Sequence, residues 1–226
     1  MSWISERPVP LDFGGPQEIA YEPMPSNPDE VIGIALMERA ARLYPNKIAI
    51  SDGSTTLTYA EMVDRMYGLA ARIAEAVEPG GVVASVVHNS TLAPVVMGAA
   101  VAAGRVLIPI DAGHPIERQA ALFAETGAAA VILAENAEID DSFIPPSTKR
   151  ILVDVAKPTG AAPYRRNVDP DAPLMVMFTS GSTGRPKGLA VGMSSGGRSV
   201  ANFVDKFHIN ADDVIVGMAS LSQGGA

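Results

Sequence analysis

The sequence predicts an α/β fold of mostly parallel sheets flanked by helices. Residues 82–87, with Ser85 the one polar residue, 106–110 and 174–178 are apolar runs of strand length, the pattern of strands buried on both faces. Between such runs lie segments whose apolar residues recur at helical spacing. Strand, helix, strand, helix is the order that builds a parallel sheet with helices on both sides.

The elements follow in order. Residues 1–25 carry Pro8, Pro10, Pro16, Pro23 and Pro25 with little periodicity, which predicts an extended arm; the folded unit is expected over 26–226. Asn27-Pro28-Asp29-Glu30 supplies a cap, a first-turn proline and an acid, so a helix starts there. Ile32, Leu36, Ala40 and Leu43 share its inner face, and Pro45 stops it. Residues 47–51 alternate like a strand and turn at Asp52-Gly53. Residues 57–62 open a second helix in which Thr58 and Glu61 form a capping box. Met62, Met66, Leu69, Ala70, Ile73 and Val77 face the core, and Pro79-Gly80-Gly81 ends it.

After the strand at 82–87, Ser90 is placed to cap a small-residue helix that finishes at Gly104 and can approach a sheet closely. His88 stands beyond the carboxyl end of that strand, where α/β proteins keep ligand contacts; a hydrogen-bonded structural role is the expected one. Residues 106–111 form the next strand, and His114-Pro115 starts a helix with Ile116, Ala120 and Phe123 inward. Two further strands are read at 129–133 and 151–155, a loop at Pro145-Pro146, and a polar, proline-rich linker over 157–173. Towards the end, Val200, Phe203, Val204 and Phe207 mark an amphipathic helix that starts within 194–199. A strand is expected at 214–218.

Chemistry concentrates between two apolar runs, 174–178 and 189–191. Thr179, Ser180, Gly181, Ser182, Thr183 and Gly184 have only hydroxyls or hydrogen as side chains, and Arg185, Pro186, Lys187 and Gly188 follow. Glycines let a backbone turn sharply and come close to a ligand, and successive free N–H groups make concavities that suit anions. The hydroxyls add donors and Lys187 adds a point charge suited to phosphate. This is a phosphate loop by composition. It is not a Walker loop, because Lys187 precedes a glycine and the residues after it are β-like. A flexible surface hairpin is the bland alternative, and it leaves the Pro-Lys-Gly and the flanking buried strands unexplained.

The run from Phe178 to Gly188 resembles the phosphate-loop signature of the adenylate-forming (AMP-binding) superfamily, which includes acyl-CoA synthetases, luciferases and the adenylation domains of nonribosomal peptide synthetases. Leu57-Thr58-Tyr59 with Glu61 is similar to that family's first motif, and the stretch from Gly104 through Val-Leu-Ile-Pro-Ile-Asp111 to Pro115 and Arg118 to its second. Asp111 and Arg118 are read as a structural ion pair or cap. The resemblance implies the N-terminal part of the adenylate-forming fold, with Thr179, Ser180, Gly181, Ser182, Thr183, Gly184 and Lys187 on the β- and γ-phosphates of ATP, and Mg²⁺ held through those phosphates with Thr183 as the one candidate side chain. It implies a small carboxylic acid as substrate and coenzyme A or a phosphopantetheine carrier protein as thiol acceptor. Catalytic groups are expected downstream of Ala226, and Gln223, Gly224 and Gly225 are substrate-pocket candidates. Two positions depart from the family pattern. Met193 stands about where a histidine is usual, and Gln223-Gly224 where amino-acid-activating members carry an aromatic residue and an aspartate. The departures favour an acid without an α-amino group.

A formal net charge of −8 argues against nucleic acid or an anionic membrane as partner. The absence of cysteine excludes disulfides and thiolate metal sites, and only three histidines are present. Met1 to Glu6 has no signal-peptide character, and no apolar run reaches membrane-spanning length, so a cytoplasmic protein is expected. Ending on Gly224-Gly225-Ala226 just after an apolar run suggests a fold cut short. Two further readings stand beside the ligase: a truncated, inactive family member that binds nucleotide or a partner, and an unrelated nucleotide hydrolase with a variant loop.

Overall fold

Among the described residues, alternation of buried valine and isoleucine runs with helical segments yields one six-stranded sheet and a two-stranded ribbon. A computed structural model describes residues 24, 34–164, 169, 171–180 and 186–217, with backbone alone at 179, 180 and 186. In chain order it contains α1 (Ala35–Leu43), β1 (Ile48–Ser51), β2 (Thr56–Thr58), α2 (Tyr59–Ala76), β3 (Val82–Val87), α3 (Leu92–Ala103), β4 (Val106–Asp111), α4 (Ile116–Ala124), β5 (Ala130–Ala134), β6 (Lys149–Val153), β7 (Pro173–Ser180), β8 (Pro186–Gly192) and α5 (Met193–Phe207). The large sheet runs β6-β5-β3-β4-β7-β8, parallel except for the last strand. The expected mostly parallel α/β architecture is therefore present, with a mixed edge.

Each face of the sheet buries one cluster. On one side Val83, Val87, Leu107, Ala130, Ile132, Ile151 and Met175 pack with α2 and α3. On the other, Ala84, Val86, Ile110, Val131 and Leu133 meet Leu122 and Phe123 of α4, and Phe123 meets Phe143 edge to face at 5.8 Å between ring centroids. β3 connects to β4 on one side and β5 to β6 on the other, so the strand order reverses between β3 and β5, which form the topological switch point.

α2 is built as its sequence dictates. Thr58 accepts the Glu61 amide, Glu61 accepts the Thr58 amide, and Met62, Met66, Leu69, Ala70 and Ile73 are all buried, as is Val77 just beyond it. α3 is buried almost all round, so its small residues serve contact with a second helix as well as the sheet: Gly98 leaves the space that Met66 of α2 fills. At the far ends of both helices the buried Arg105 guanidinium donates to the carbonyls of Val77 at 2.8 and 2.6 Å and to Ala103. One cation thus satisfies carbonyl groups at two helix C-termini, where a positive charge is favoured. The linker after β6 is stitched to α2: Thr159 donates its amide to the Asp64 carboxylate and its hydroxyl to the Asp64 carbonyl, both at 2.8 Å, over the space left by Gly68.

Several expectations are corrected. The inner face of α1 is not Leu36, Ala40 and Leu43; Met37 and Ala41 pack on the core, Ile34 just before the helix is buried, and Leu43 is 47% exposed. The sequence reading put the stripe one position out of phase. Leu57 belongs to a short strand, β2, paired antiparallel with β1, and not to the helix. Ser90 does not cap α3: the N-cap is Thr91, its amide is taken by the Asp52 carboxylate at 2.9 Å, and the Ser90 hydroxyl donates to the His88 carbonyl. On α4 the buried positions are Gln119, Leu122 and Phe123, with Ile116 and Ala120 only half-buried. Residues 214–217 form no strand, and Val214, Ile215 and Val216 are exposed. The arm at 1–25, apart from Met24, and the helix start at Asn27 lie outside the described residues.

Candidate phosphate site

The apolar run of β7 reaches the carboxyl edge of the sheet and returns as β8, an antiparallel hairpin with Met177 opposite Leu189, Phe178 opposite Gly188, Thr179 opposite Lys187 and Ser180 opposite Pro186. Residues 189–191 are strand, so the distinction from a Walker loop holds. A Cβ at position 188 would stand 3.0 Å from a Val176 methyl, tighter than ordinary contact, so glycine lets the two strands close here. Lys187 lies exposed at the base of the tip, cross-strand from Thr179. Gly181, Ser182, Thr183 and Gly184, the predicted centre of the loop, and the pocket candidates Gln223, Gly224 and Gly225 lie outside the described residues.

Near the hairpin, the carboxyl ends of β3 and β4 present other polar groups. His88 is exposed at the end of β3 and not packed as a structural histidine. Asp111 ends β4 and accepts the Gly113 amide at 2.8 Å, closing the turn into α4. This is a turn and not a helix cap, since Pro115 is the N-cap of α4 and no side chain caps it; Arg118 is exposed on α4, and no ion pair joins the two among the described residues. Met193, at the position where the sequence comparison pointed to a histidine, is buried in the core under the start of α5. Among the described residues, no group of three or more His, Cys, Asp or Glu side chains could hold a metal ion. No helix among them is long and apolar enough to cross a membrane.

Sequence reasoning missed Asp52. Its carboxylate accepts the Thr91 amide, the Ser54 hydroxyl at 2.7 Å and the amides of Ser54 and Thr55, so the β1–β2 turn is pinned to the start of α3. Thr91's amide, followed by Ser54's hydroxyl, holds the Asp52 carboxyl far below the usual carboxylate range. An Asp-Gly turn was visible in the sequence; its long-range partner was not.

The hairpin stands at the carboxyl edge of a mostly parallel sheet; β7 is half-buried, while β8, an edge strand expected to be buried, is exposed from Lys187 to Ala190. The AMP-binding enzyme family matches residues 37–223, and the chain belongs to that family. Enterobactin synthase component F of Shigella flexneri is 28% identical over 189 residues, 83% of this chain and 15% of that protein. Nonribosomal peptide synthetase 8 of Aspergillus fumigatus is 32% identical over 163 residues, 69% of this chain and 2% of its own length. The solved nonribosomal peptide synthetase FmoA3 superimposes with a TM-score of 0.75 at 25% identity, over 90% of this chain and 21% of FmoA3. Its form bound to α-methyl-L-serine-AMP gives 0.64 at 28% identity, over 81% and 20%. The chain therefore spans about a seventh or less of the curated relatives named here.

Proposed function

We propose that this chain supplies the phosphate-gripping front part of an ATP-dependent carboxylic acid-activating ligase, with residues 26–226 the N-terminal portion of an adenylation domain and 178–188 its phosphate loop. The observation that carries the reading is the strand–loop–strand hairpin at the sheet's carboxyl edge, with Lys187 level with Thr179. Membership of the AMP-binding family supports it. In the reaction a carboxylate oxygen attacks the α-phosphorus of ATP, the bond to the β-phosphate oxygen breaks, and pyrophosphate leaves; a thiol then takes the acyl group and releases AMP. Thr179, Ser180, Gly181, Ser182, Thr183 and Gly184 would donate to the β- and γ-oxygens, and Lys187 would offset charge gathering there. Mg²⁺, when bound to those phosphates, would supply further charge neutralisation, with Thr183 the one side chain proposed to reach it. Met24 donates its amide to Asp205 of α5 at 3.0 Å, which supports an N-terminal arm laid over the unit.

For the acid, Gln223 and Gly224 offer no carboxylate to a protonated amino group, and burying that group unpaired is costly. The proposed substrate is an aryl or aliphatic acid without an α-amino group, with coenzyme A or a carrier-protein thiol as acceptor. A second reading, activation of an amino acid, is favoured by the likeness to FmoA3 in its α-methyl-L-serine-AMP form. ATP–pyrophosphate exchange by the full-length gene product over a panel of both acid types decides. Exchange driven only by α-amino acids rejects the first reading, and release of ADP and phosphate without exchange rejects adenylation altogether.

A further inference from the structure

The chain leaves α5 through a built turn and then runs apolar and unpaired. His208 takes the left-handed conformation at the helix end, with a φ of 48°, and the Ile209 amide returns to the Val204 carbonyl at 3.0 Å. Asn210 donates its amide to the Asp213 carboxylate and takes the Asp212 amide on its Oδ1, both at 2.8 Å, while the Asp213 amide reaches the Asn210 carbonyl. Val214, Ile215 and Val216 follow, 90, 65 and 77% exposed. Among the described residues, none of their N–H or C=O groups is hydrogen-bonded. β-Branched residues in succession suit a strand. Apolar side chains in water beside free backbone groups make a template for pairing with another chain.

The sequence of the run selects the partner. A contact between two copies about a two-fold axis must be self-complementary, residue i meeting j as j meets i. Val214-Ile215-Val216 reads alike in both directions. Paired antiparallel about Ile215, each Val214 faces the partner's Val216, and the two Ile215 side chains meet on one face. Asp213 then stands opposite the partner's Gly217, where a Cβ would meet nothing within 4 Å in the single chain. Parallel pairing in register would instead set Asp213 against the partner's Asp213, a like-charge contact that destabilises. A ribbon this short is marginal alone. Val200, Phe203 and Phe207 lie exposed on the helix that leads into the turn, and add apolar area towards the roughly 800 Å² per partner of a standard interface. We infer that residues 214–216 are a self-recognition strand: two copies of the chain pair antiparallel about Ile215, with the α5 stripe as the flank of the interface. This is independent of the phosphate-loop reading.

The chain has no cysteine, so single thiols report the register. Ile215→Cys, Val214→Cys and Val216→Cys are oxidised mildly and their cross-linked dimers counted, beside sedimentation equilibrium of the unaltered 226-residue chain and of Ile215→Lys. Circular dichroism checks the fold, which changes at such exposed positions should leave intact. The unaltered chain is expected to form a dimer as concentration rises. Ile215→Cys should cross-link readily. Val214→Cys and Val216→Cys should scarcely do so alone but readily when mixed, because facing Cα atoms lie about 4.5–5.5 Å apart and those out of step lie beyond the roughly 7 Å a disulfide spans. Ile215→Lys should weaken dimerisation roughly tenfold or more, since each copy loses a buried isoleucine. A chain that stays monomeric overturns the inference, as do equal cross-linking at all three positions and a dimer untouched by Ile215→Lys. Association only after removal of residues 1–23 would give the surface to that segment and overturn it too. So would a monomeric longer gene product whose Ile215→Cys thiol resists labelling, since the chain's own continuation would then cover the run.

Discussion

Asp52 and Arg105 illustrate how single side chains join elements that are distant in sequence. Asp52 is an ion held by donors, Thr91's amide foremost, so its folded pKa lies below the unfolded one. A depressed carboxylate contributes stability that is present above its unfolded pKa and is lost as pH falls through the folded value. Asp52→Asn should therefore cost about 1 kcal/mol at neutral pH, the worth of a lost cap. The gap to the unaltered protein should narrow progressively as pH drops below about 4. Urea titrations at several pH values check this, and a gap that stays constant would show that the charge is irrelevant. Arg105→Ala leaves the carbonyls of Val77 and Ala103 without their donor in a buried place, and should destabilise by about 2–4 kcal/mol. Neither role was legible in the sequence, because both depend on which chain ends the fold brings together. Asp111 was expected to pair with Arg118 or cap a helix, and it closes a turn on an amide two residues away.

Among the elements, those whose signals are local were readable and those whose burial depends on neighbours were not. α2 carries its own start in Thr58 and Glu61 and its own stripe; Thr58→Ala should cost about 1 kcal/mol by thermal or urea unfolding. β3 and β4 were readable because a run buried on both faces needs no partner to be recognised. α1 was read one position out because its stripe is short and half-exposed, so the choice between adjacent faces is made by the sheet. On α4 Phe123 was read correctly as inward, while Gln119 and Leu122 take the burial expected of Ile116 and Ala120. The two-helix contact at Gly98 was likewise invisible. Gly98→Val should force Met66 aside and cost about 1–3 kcal/mol by overpacking, whereas the methionine's flexible end gives Gly98→Ala an easier fit. The β7–β8 hairpin was legible in kind, strand–loop–strand, from its residues alone.

At the scale of the whole molecule, the mixed sheet sets the β7–β8 hairpin at its edge, and among the described residues the outer flank of α5 is exposed. Val200, Phe203 and Phe207 are each more than half exposed, and the two phenyl rings lie 4.7 Å apart between centroids. A contiguous apolar stripe of this kind favours association, so the 226-residue chain should self-associate with rising concentration in sedimentation runs, and Phe203→Ser with Phe207→Ser should abolish this without lowering the unfolding midpoint. The same chain should not turn over by itself: gripping phosphates holds ground state and transition state about equally and does not raise the rate of the chemical step. The central claim is that the hairpin grips polyphosphate, and competition binding tests it most directly. ATP and inorganic tripolyphosphate are titrated against AMP on the unaltered chain, Thr183→Ala and Lys187→Ala. The account predicts that ATP and tripolyphosphate compete for one site while AMP competes far less well. It also predicts that Lys187→Ala weakens ATP about tenfold or more, the scale of a lost hydrogen bond to a charged group. ATP affinity unchanged in both variants, or AMP binding as well as ATP, would contradict it.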